Sequence, residues 1–416
     1  MRPDELNLRH LRAFCDVAAT GSISAASPRV HLSQPAITQA IAKLEQKLAA
    51  NLFVRTSSGM IATEAGRTMA HRSRRALDFL RTGADSIDNR RGSSFARFDQ
   101  LVTGAQLRAL IAVAEAGNFS LAARAVGISQ PSLHRLARDL ERLSGNELFV
   151  RTRLGIRLTQ AAERLARFAR LALAELQQGF DELAAARGID TASVLIGTLP
   201  LARTSILPGA INSLVRERPE VRVRVVDGLY DDLLRDLRQG EIDVLVGALR
   251  NPPPIDDVVQ TELFSDNLAI VARSGHPLAG KRRPTMRDLA RYPWIAPRPP
   301  TPTRRHFEAL FATAGMPVPA GLIEASSLIL IRGLLIESNR LTMVSAHQVA
   351  VEVRHGLLTI LRFDLENTQR PIGTTVRRDW QPTATQARFL ELLEIMCKPD
   401  RSSTACHAGD PYPVSE

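Results

Sequence analysis

His134, Arg135 and Arg138 fall on one side of a segment that opens with Ser129-Gln130-Pro131. Spaced over about one helical turn, such polar and basic side chains suit a helix that points its N-terminus into the major groove. Ninety-six residues earlier, Ser33-Gln34-Pro35 opens a segment that carries Thr38, Gln39 and Lys43 on the same side. Both segments run on to "LFVRT", which puts Arg55 and Arg151 where a phosphate backbone can lie, and the second adds Arg153. Phosphate contacts supply affinity without sequence preference, and base-edge contacts supply the preference.

Side chains of this kind need a frame that repeats with them. Ten of the 24 positions in 33–56 and 129–152 are identical without a gap. The match extends through "LRAF" and "LRAL", "VAATGSIS" and "VAEAGNFS", Gly59 and Gly155, and Thr63 and Thr159. A fixed offset over more than fifty residues marks an internal repeat. Each copy predicts an amphipathic helix, a turn at Gly21 or Gly117, and a short helix capped by Ser24 or Ser120. A tight turn then leads to a helix capped by Ser33 or Ser129, with Pro35 or Pro131 in its first turn, where a missing N–H costs nothing. Two short helices joined this way are a helix-turn-helix.

In the first copy Ile37, Ile41, Leu44 and Leu48 repeat as a core stripe, which leaves Pro35, Thr38, Gln39, Ala42 and Lys43 facing outward. The outward set of the second copy is Pro131, His134, Arg135, Arg138 and Asp139. "LFVRT", a glycine and a final threonine predict a two-strand wing. The second wing adds Arg153 and Arg157, so it is expected to grip DNA harder. Pro28 removes an early hydrogen bond from the first copy's short helix, where the second copy has Arg124.

Charge follows the repeat. Residues 1–190 hold 27 Lys/Arg against 18 Asp/Glu, and the remainder holds 27 against 25. An excess confined to one region points to a polyanion partner there and a neutral one elsewhere. The three cysteines are unpaired in number, which fits a reducing compartment. "MRPDELNLRHLRAF" has no apolar core of signal-peptide length, and no stretch approaches the roughly 20 apolar residues of a membrane span. A soluble, cytoplasmic protein is expected, with no membrane partner.

Each copy resembles the winged helix-turn-helix of LysR-type transcriptional regulators, through its Gly-x-x-Ser turn, paired small residues, "SQP", "LE", "LF-x-RT", Gly and final Thr. Two departures are local: the small pair is Ala26-Ser27 in the first copy, and Ala162 replaces the glycine that Gly66 retains. The third is the tandem arrangement, since the family normally has one such domain per chain. The resemblance implies binding to promoter DNA, a homo-oligomer, RNA polymerase as a partner and a small-molecule effector of unknown identity. It also implies that the helix after each wing pairs with a partner helix. Met69, Ala76, Leu77, Leu80, Ala84 and Ile87 form one seam, and Leu165, Ala169, Ala172, Leu176, Phe180 and Leu183 the other. Two seams in one chain leave two arrangements open, pairing between chains or pairing of the copies within one chain.

From residue 192 strands and helices alternate: "SVLIGTL", "ILPGAINSLVRERPE", "VRVRVVDG", "LYDDLLRDLRQGE", "IDVLVGAL" and, after a gap, "NLAIVAR". Continuous apolar strands between amphipathic helices predict a parallel α/β sheet. A second unit runs through "WIAP", "RRHFEALFATAG", "LIEASSLILIRGLLIESNRLTMVS" and "LLTILRF", and "PIGTTVRRD" with the helix "TATQARFLELLEIMC" closes the fold. This part resembles the family's effector-binding domain, itself similar to periplasmic solute-binding proteins. Ligands of such sheets sit beyond the carboxyl ends of strands. That singles out Thr198, Arg203, Ala248, Pro297, Arg298, Ser326, Ser327 and Ser345, with Arg203 or Arg298 as a partner for a carboxylate.

The expected fold is α+β and multidomain. The first winged helix-turn-helix covers 6–63, with its helix-turn-helix at 23–42, and a linker helix and connector covers 64–97. The second covers 102–159, with its helix-turn-helix at 119–138, and a linker helix covers 160–190. The effector domain covers 191–398, in subdomains of about 191–266 with 380–398 and about 267–379, and a disordered tail covers 399–416. No catalytic residue, cofactor or metal site is expected, because no phosphate loop, "GxSxG" or "HExxH" occurs and the histidines do not cluster. The competing reading is a two-lobed α/β small-molecule-binding protein or enzyme with accessory nucleic-acid-binding domains.

Overall fold

The structure, a computed structural model, describes residues 2–57, 59–87, 98–153, 155–189, 192–204 and 206–398. The connector "NRRGSS" at 89–94 and the tail from 399 lie outside the described residues. Helices α1 (Leu8–Thr20), α2 (Ile23–Val30) and α3 (Gln34–Leu48) precede a hairpin of β1 (Phe53–Thr56) and β2 (Gly59–Ala62) and the long helix α4 (Glu64–Asp85). After a short α5 (Phe98–Leu101) the order recurs as α6 (Gly104–Ala116), α7 (Phe119–Val126), α8 (Gln130–Ser144), β3 (Phe149–Thr152), β4 (Gly155–Leu158) and α9 (Gln160–Ala185).

Local chemistry accounts for these boundaries. Ser33 and Ser129 accept from the amides of Ala36 and Ser132, and Thr63 and Thr159 accept from those of Gly66 and Ala162. The caps of α2 and α7 lie two residues before the expected Ser24 and Ser120. Ser22 accepts from Ala25 N–H, and Asn118 accepts from Ser120 and Leu121 N–H. The extended backbone of Ser22 and Asn118 leaves the side-chain oxygen aimed at the first turn, as a cap requires. Each wing is tied to the first turn of its unit. Met60 N–H donates to the Gly21 carbonyl at 2.8 Å, and Ile156 N–H donates to that of Gly117 at 2.9 Å. A Cβ at Gly59 would lie 2.5 Å from the Gly21 carbonyl oxygen, so the wing can approach only as glycine.

The two units do not stand apart. Helices α4 and α9 pack antiparallel, Gly83 against Phe168 at one end and Gly179 against Arg72 at the other. The seam residues expected on α4, from Met69 to Ala84, are buried, as are Ile87 just beyond its end and Leu165, Ala169, Ala172, Leu176 and Leu183, with Phe180 packed beside them. One continuous core runs from Leu11 and Phe14 through Leu80 and Leu107 to Leu176. The start of the chain leans on the second unit: Asp4 pairs with Arg108, and a Cβ at Gly104 would fall 2.1 Å from the Asp4 carbonyl oxygen.

The remaining chain builds two sheets. The first orders its strands β6 (Arg222–Asp227), β5 (Ser193–Thr198), β7 (Val244–Ala248), β14 (Arg370–Arg377) and β8 (Val258–Asp266). The second orders β11 (Ile323–Glu324), β10 (Trp294–Ala296), β12 (Leu341–Ser345), β9 (Leu268–Arg273) and β13 (Leu358–Ile360). Helices α10 (Ile206–Glu217), α11 (Tyr230–Gln239) and α16 (Ala384–Cys397) flank the first sheet, and α12 (Met286–Leu289), α13 (Pro302–Thr313), α14 (Leu328–Ile336) and α15 (Ala350–Arg354) belong with the second.

The sheets and the chain's return to the first subdomain differ from the expected ones. The sheets are mixed, because β14 runs antiparallel to β7 and β8, and β9 runs antiparallel to β12 and β13. The chain also returns to the first sheet at Arg370, not at residue 380, so "PIGTTVRRD" belongs to the first subdomain. Among the described residues no helix is long and apolar enough to cross a membrane, and no group of three or more His, Cys, Asp or Glu side chains is placed to hold a metal ion.

Candidate nucleic-acid interface and effector cleft

On α3, Ile37, Ile41, Leu44 and Leu48 are buried, and Ser33, Gln34, Pro35, Gln39, Ala42 and Lys43 are exposed. Thr38 is half-buried, its hydroxyl donating to the Gln34 carbonyl at 3.0 Å. On α8, Ser129, Gln130, Pro131, Arg135 and Arg138 are exposed, and Gln130 accepts from the Ser120 hydroxyl at 3.0 Å. His134 is placed differently from the free side chain that the periodicity suggests. Its ring stacks on Phe119 at 4.0 Å, and burial, then Arg151 and Arg138, hold its pKa below the ordinary histidine value. A neutral ring at that place extends the core outward and leaves the two arginines as the charged members of the face.

The equivalent space in the first unit is open. Ile23 and Thr38 stand where Phe119 and His134 meet, and Ile23, Gln34, Pro35, Thr38, Gln39 and Ala42 line a shallow groove there. The wings differ in the same sense. Arg55 is exposed on β1, but its neighbours Val54 and Ile61, paired across the hairpin, are each 54% exposed. Arg151, Arg153 and Arg157 are all exposed around the second wing.

In the two-sheet domain the expected residues do not converge. Thr198 is fully buried, and its carbonyl accepts from Arg203 at 3.0 Å, which also faces Asp227. Ser345 is committed to the buried Asp266 at 2.6 Å. Ala248 and Pro297 contribute carbonyls to Arg250 and Arg304. Arg298, Ser326 and Ser327 are exposed, and Ser327 occupies the N-cap of α14 without a side-chain cap bond.

A different set does converge. The Arg250 guanidinium lies 4.2 Å over the Tyr230 ring, and Gln260 accepts from the Arg250 amide at 3.1 Å. Arg370, paired with Asp266, also donates to Thr303 at the start of α13 at 2.9 Å, which spans the two subdomains. Burial pushes Arg250 below the usual guanidinium value, and Arg305 and Arg370 add to the shift. Burial, then Arg370 and Arg305, lower His306 as well. Tyr230 Oη and Gln260 Nε2 are buried side by side, and Arg370 Nε is buried without a hydrogen-bond partner. Positive charge and buried polar groups therefore meet between the sheets. The sequence held one signal for this: Arg250 lies two residues beyond the end of β7, and Arg370 opens the returning strand.

Comparison with known proteins gives a consistent picture. Residues 190–397 match the model of the LysR substrate binding domain, and residues 8–67 and 105–163 match that of the bacterial regulatory helix-turn-helix proteins of the lysR family. The chain is 35% identical over 371 residues to the HTH-type transcriptional regulator GalR of Pseudomonas putida, which covers 89% of this chain and 92% of that protein. It is 30% identical to the HTH-type transcriptional regulator PcaQ of Agrobacterium fabrum, over 71% of this chain and 95% of that one. Among solved structures, CbnR, a LysR family transcriptional regulator, superposes with a TM-score of 0.50 at 22% identity, covering 71% of this chain and 99% of its own. A full-length OxyR from Pseudomonas aeruginosa gives 0.52 at 21%, covering 71% and 94%. At these identities the two structures establish the shared fold.

Proposed function

The chain belongs to the LysR family of DNA-binding transcriptional regulators, and from this we propose that both helix-turn-helix units are promoter-reading heads, duplicated in tandem and governed by one effector domain. The observation that carries the reading is that α3 and α8 are both capped helices with a buried apolar stripe and an exposed polar N-terminal half. Both units also match the same family model. The alignment with GalR supports the tandem arrangement, since the 11% of this chain that it leaves out is shorter than either unit. A 22-residue helix such as α4 spans about 33 Å, close to the roughly 34–36 Å between successive major grooves on one DNA face.

In this reading Gln34, Thr38, Gln39 and Lys43 read one half-site, and Gln130, Arg135 and Arg138 read another, with His134 buttressing them. Arg55, Arg151 and Arg153 hold phosphates, and Ser33, Pro35, Ser129 and Pro131 shape the helix tips. The effector is an anion that enters the cleft at Arg250, Arg305 and Arg370, beside the buried polar groups of Tyr230 and Gln260. Closure around it shifts the heads and hence the DNA path, which changes access for RNA polymerase. The protein works as an oligomer in the cytoplasm, where the chromosome lies.

Retardation and nuclease footprinting of a promoter fragment by the purified chain test the DNA reading, and absence of any protected region would refute it. Arg250→Gln is expected to leave DNA affinity unchanged without ligand and to abolish the footprint change caused by small carboxylates. A full response in that variant rules out this cleft.

A further inference from the structure

The seam between α4 and α9 is not built like a seam between identical helices. The two units differ by a constant offset of 96, so Arg72 and Phe168 occupy the same place in their helices, as do Gly83 and Gly179. The antiparallel crossing sets each against the glycine of the other helix. A Cβ at Gly179 would lie 3.2 Å from the Cβ of Arg72, and one at Gly83 would lie 2.7 Å from that of Phe168.

What surrounds each glycine then decides which helices can pair. Around Gly179, α9 offers Glu175, Gln178 and Glu182. Arg72, 3% exposed, donates to Glu175 at 3.0 Å, to Gln178 at 2.8 Å and to Glu182 at 3.0 Å, and Arg75 donates to Glu175 at 2.9 Å. Around Gly83, α4 offers Phe79, Thr82 and Ser86. Phe168 meets Phe79 there with ring centroids 6.5 Å apart, and Arg75 and Arg167 lie over the faces of the two rings. One end is therefore ionic and the other aromatic.

Exchange the partners and both ends fail. Two copies of α4 crossing at this register would set Arg72 against Phe79, Thr82 and Ser86 at each end, a buried guanidinium with no carboxylate. Two copies of α9 would set Phe168 against Glu175, Gln178 and Glu182 at each end, with two carboxylates left without a cation. A buried charge left without its partner is costly, and such mismatches count against the wrong pairings as the good contacts count for the right one.

We infer that α4 pairs with α9 and not with its own kind, so that one polypeptide forms the complete two-headed unit and binds an asymmetric operator of two unlike half-sites. This rests on the reading of both units as DNA-binding heads. The unlike faces of α3 and α8 place the asymmetry in the DNA as well as in the protein, and the shared core and the Asp4–Arg108 pair lock the heads together.

Two measurements on the full chain test it. In the first, wild-type protein is titrated onto a promoter duplex, with stoichiometry from sedimentation and protection from footprinting. One chain per two protected half-sites of different sequence is expected. Two chains per such pair, or at least equal affinity for a perfect inverted repeat of either half-site, would overturn the inference. In the second, Arg72→Cys with Gly179→Cys, in a chain whose Cys15, Cys397 and Cys406 are replaced by Ser, is oxidised at about micromolar concentration without DNA and run on a denaturing gel without reductant. A cross-linked monomer is the expected product, whereas covalent dimers mean that the helices pair between chains. A wild-type chain that gives the cross-linked monomer in its double variant but protects no DNA would keep the pairing and sink the reading of both units as heads.

Discussion

The two helix-turn-helix units share element order, cap positions and wing anchor, yet they meet the same backbone demands with different residues. Helices α7 and α8 end on Gly127 and Gly145, with φ of 79° and 60°. The corresponding ends of α2 and α3 are His31 and Ala49, at φ of 53° and 49°. Left-handed backbone costs a residue with a Cβ about 1–2 kcal/mol relative to the right-handed region, so the first head carries strain that the second avoids. Pro28 lies inside α2, where the second head has Arg124. The first head also presents Gln39 and Ala42 where the second presents Arg135 and Arg138. The difference separates what a head must be from what it does. The strained copy shares its core with the other, and the exposed arginines of the reading face and wing are concentrated in the second.

The sharpest way to break this comparison is at the seam. Arg72→Ala leaves the buried Glu175 with Arg75 alone and takes the guanidinium away from Glu182 and Gln178, and loss of one partner of a buried pair costs up to about 3–5 kcal/mol. Denaturant unfolding of the whole chain should register that loss. Phe168→Leu, at the same place in the other helix, should cost much less, and equal losses would mean that the two ends of the seam are alike.

Next come the reading faces. Arg135→Ala and Arg138→Ala should each reduce discrimination between cognate and altered bases by about 1–3 kcal/mol, within the half-site of the second head alone. Gln39→Ala should act on the other half-site. Competition binding with singly altered duplexes separates the two, and effects that fall on both half-sites alike would erase the proposed division. Arg151→Ala should weaken binding to all sequences and flatten the salt dependence by about one unit of log–log slope.

Ala49→Gly removes left-handed strain but adds chain entropy, for a net gain of up to about 1 kcal/mol. Gly145→Ala should lose about as much, and thermal unfolding of the two variants measures the contrast directly. The smallest effect is one of pH. His134 has a lowered folded pKa, so the unfolded chain binds its proton first as pH falls below the ordinary value of 6.5. Stability from this residue is therefore present above that value and is lost on acidification. His134→Thr, which installs the first head's residue, should flatten that part of the Tm profile. An unchanged profile would show that the stacked ring does not titrate there.

Much of this architecture could be read from the chain alone, where local rules are strong. Ser33, Ser129, Thr63 and Thr159 announce their caps because a hydroxyl at that place has one good use. The stripe of Ile37, Ile41, Leu44 and Leu48 follows from helical period. Strand β8 escaped because its burial is irregular, with Thr261, Glu262 and Ser265 among its residues. The position of β14 escaped because strand order is set by long-range pairing, not by local pattern. The cleft residues Tyr230, Gln260 and Arg370 come from three separate elements, so no spacing connects them. His134 looked like a surface residue because its cover, Phe119, lies on another helix.

Gly83 and Gly179 mark a consequence for how this protein can change. In an assembly of identical subunits, every codon at a symmetric contact is expressed on both sides of the axis, and a replacement must suit two neighbourhoods at once. Fusion of the copies turns each such contact into two independent genetic positions, one beside a guanidinium and one beside a ring. Under the pairing inferred above, each half of the interface, and each half-site it would read, is open to selection by itself.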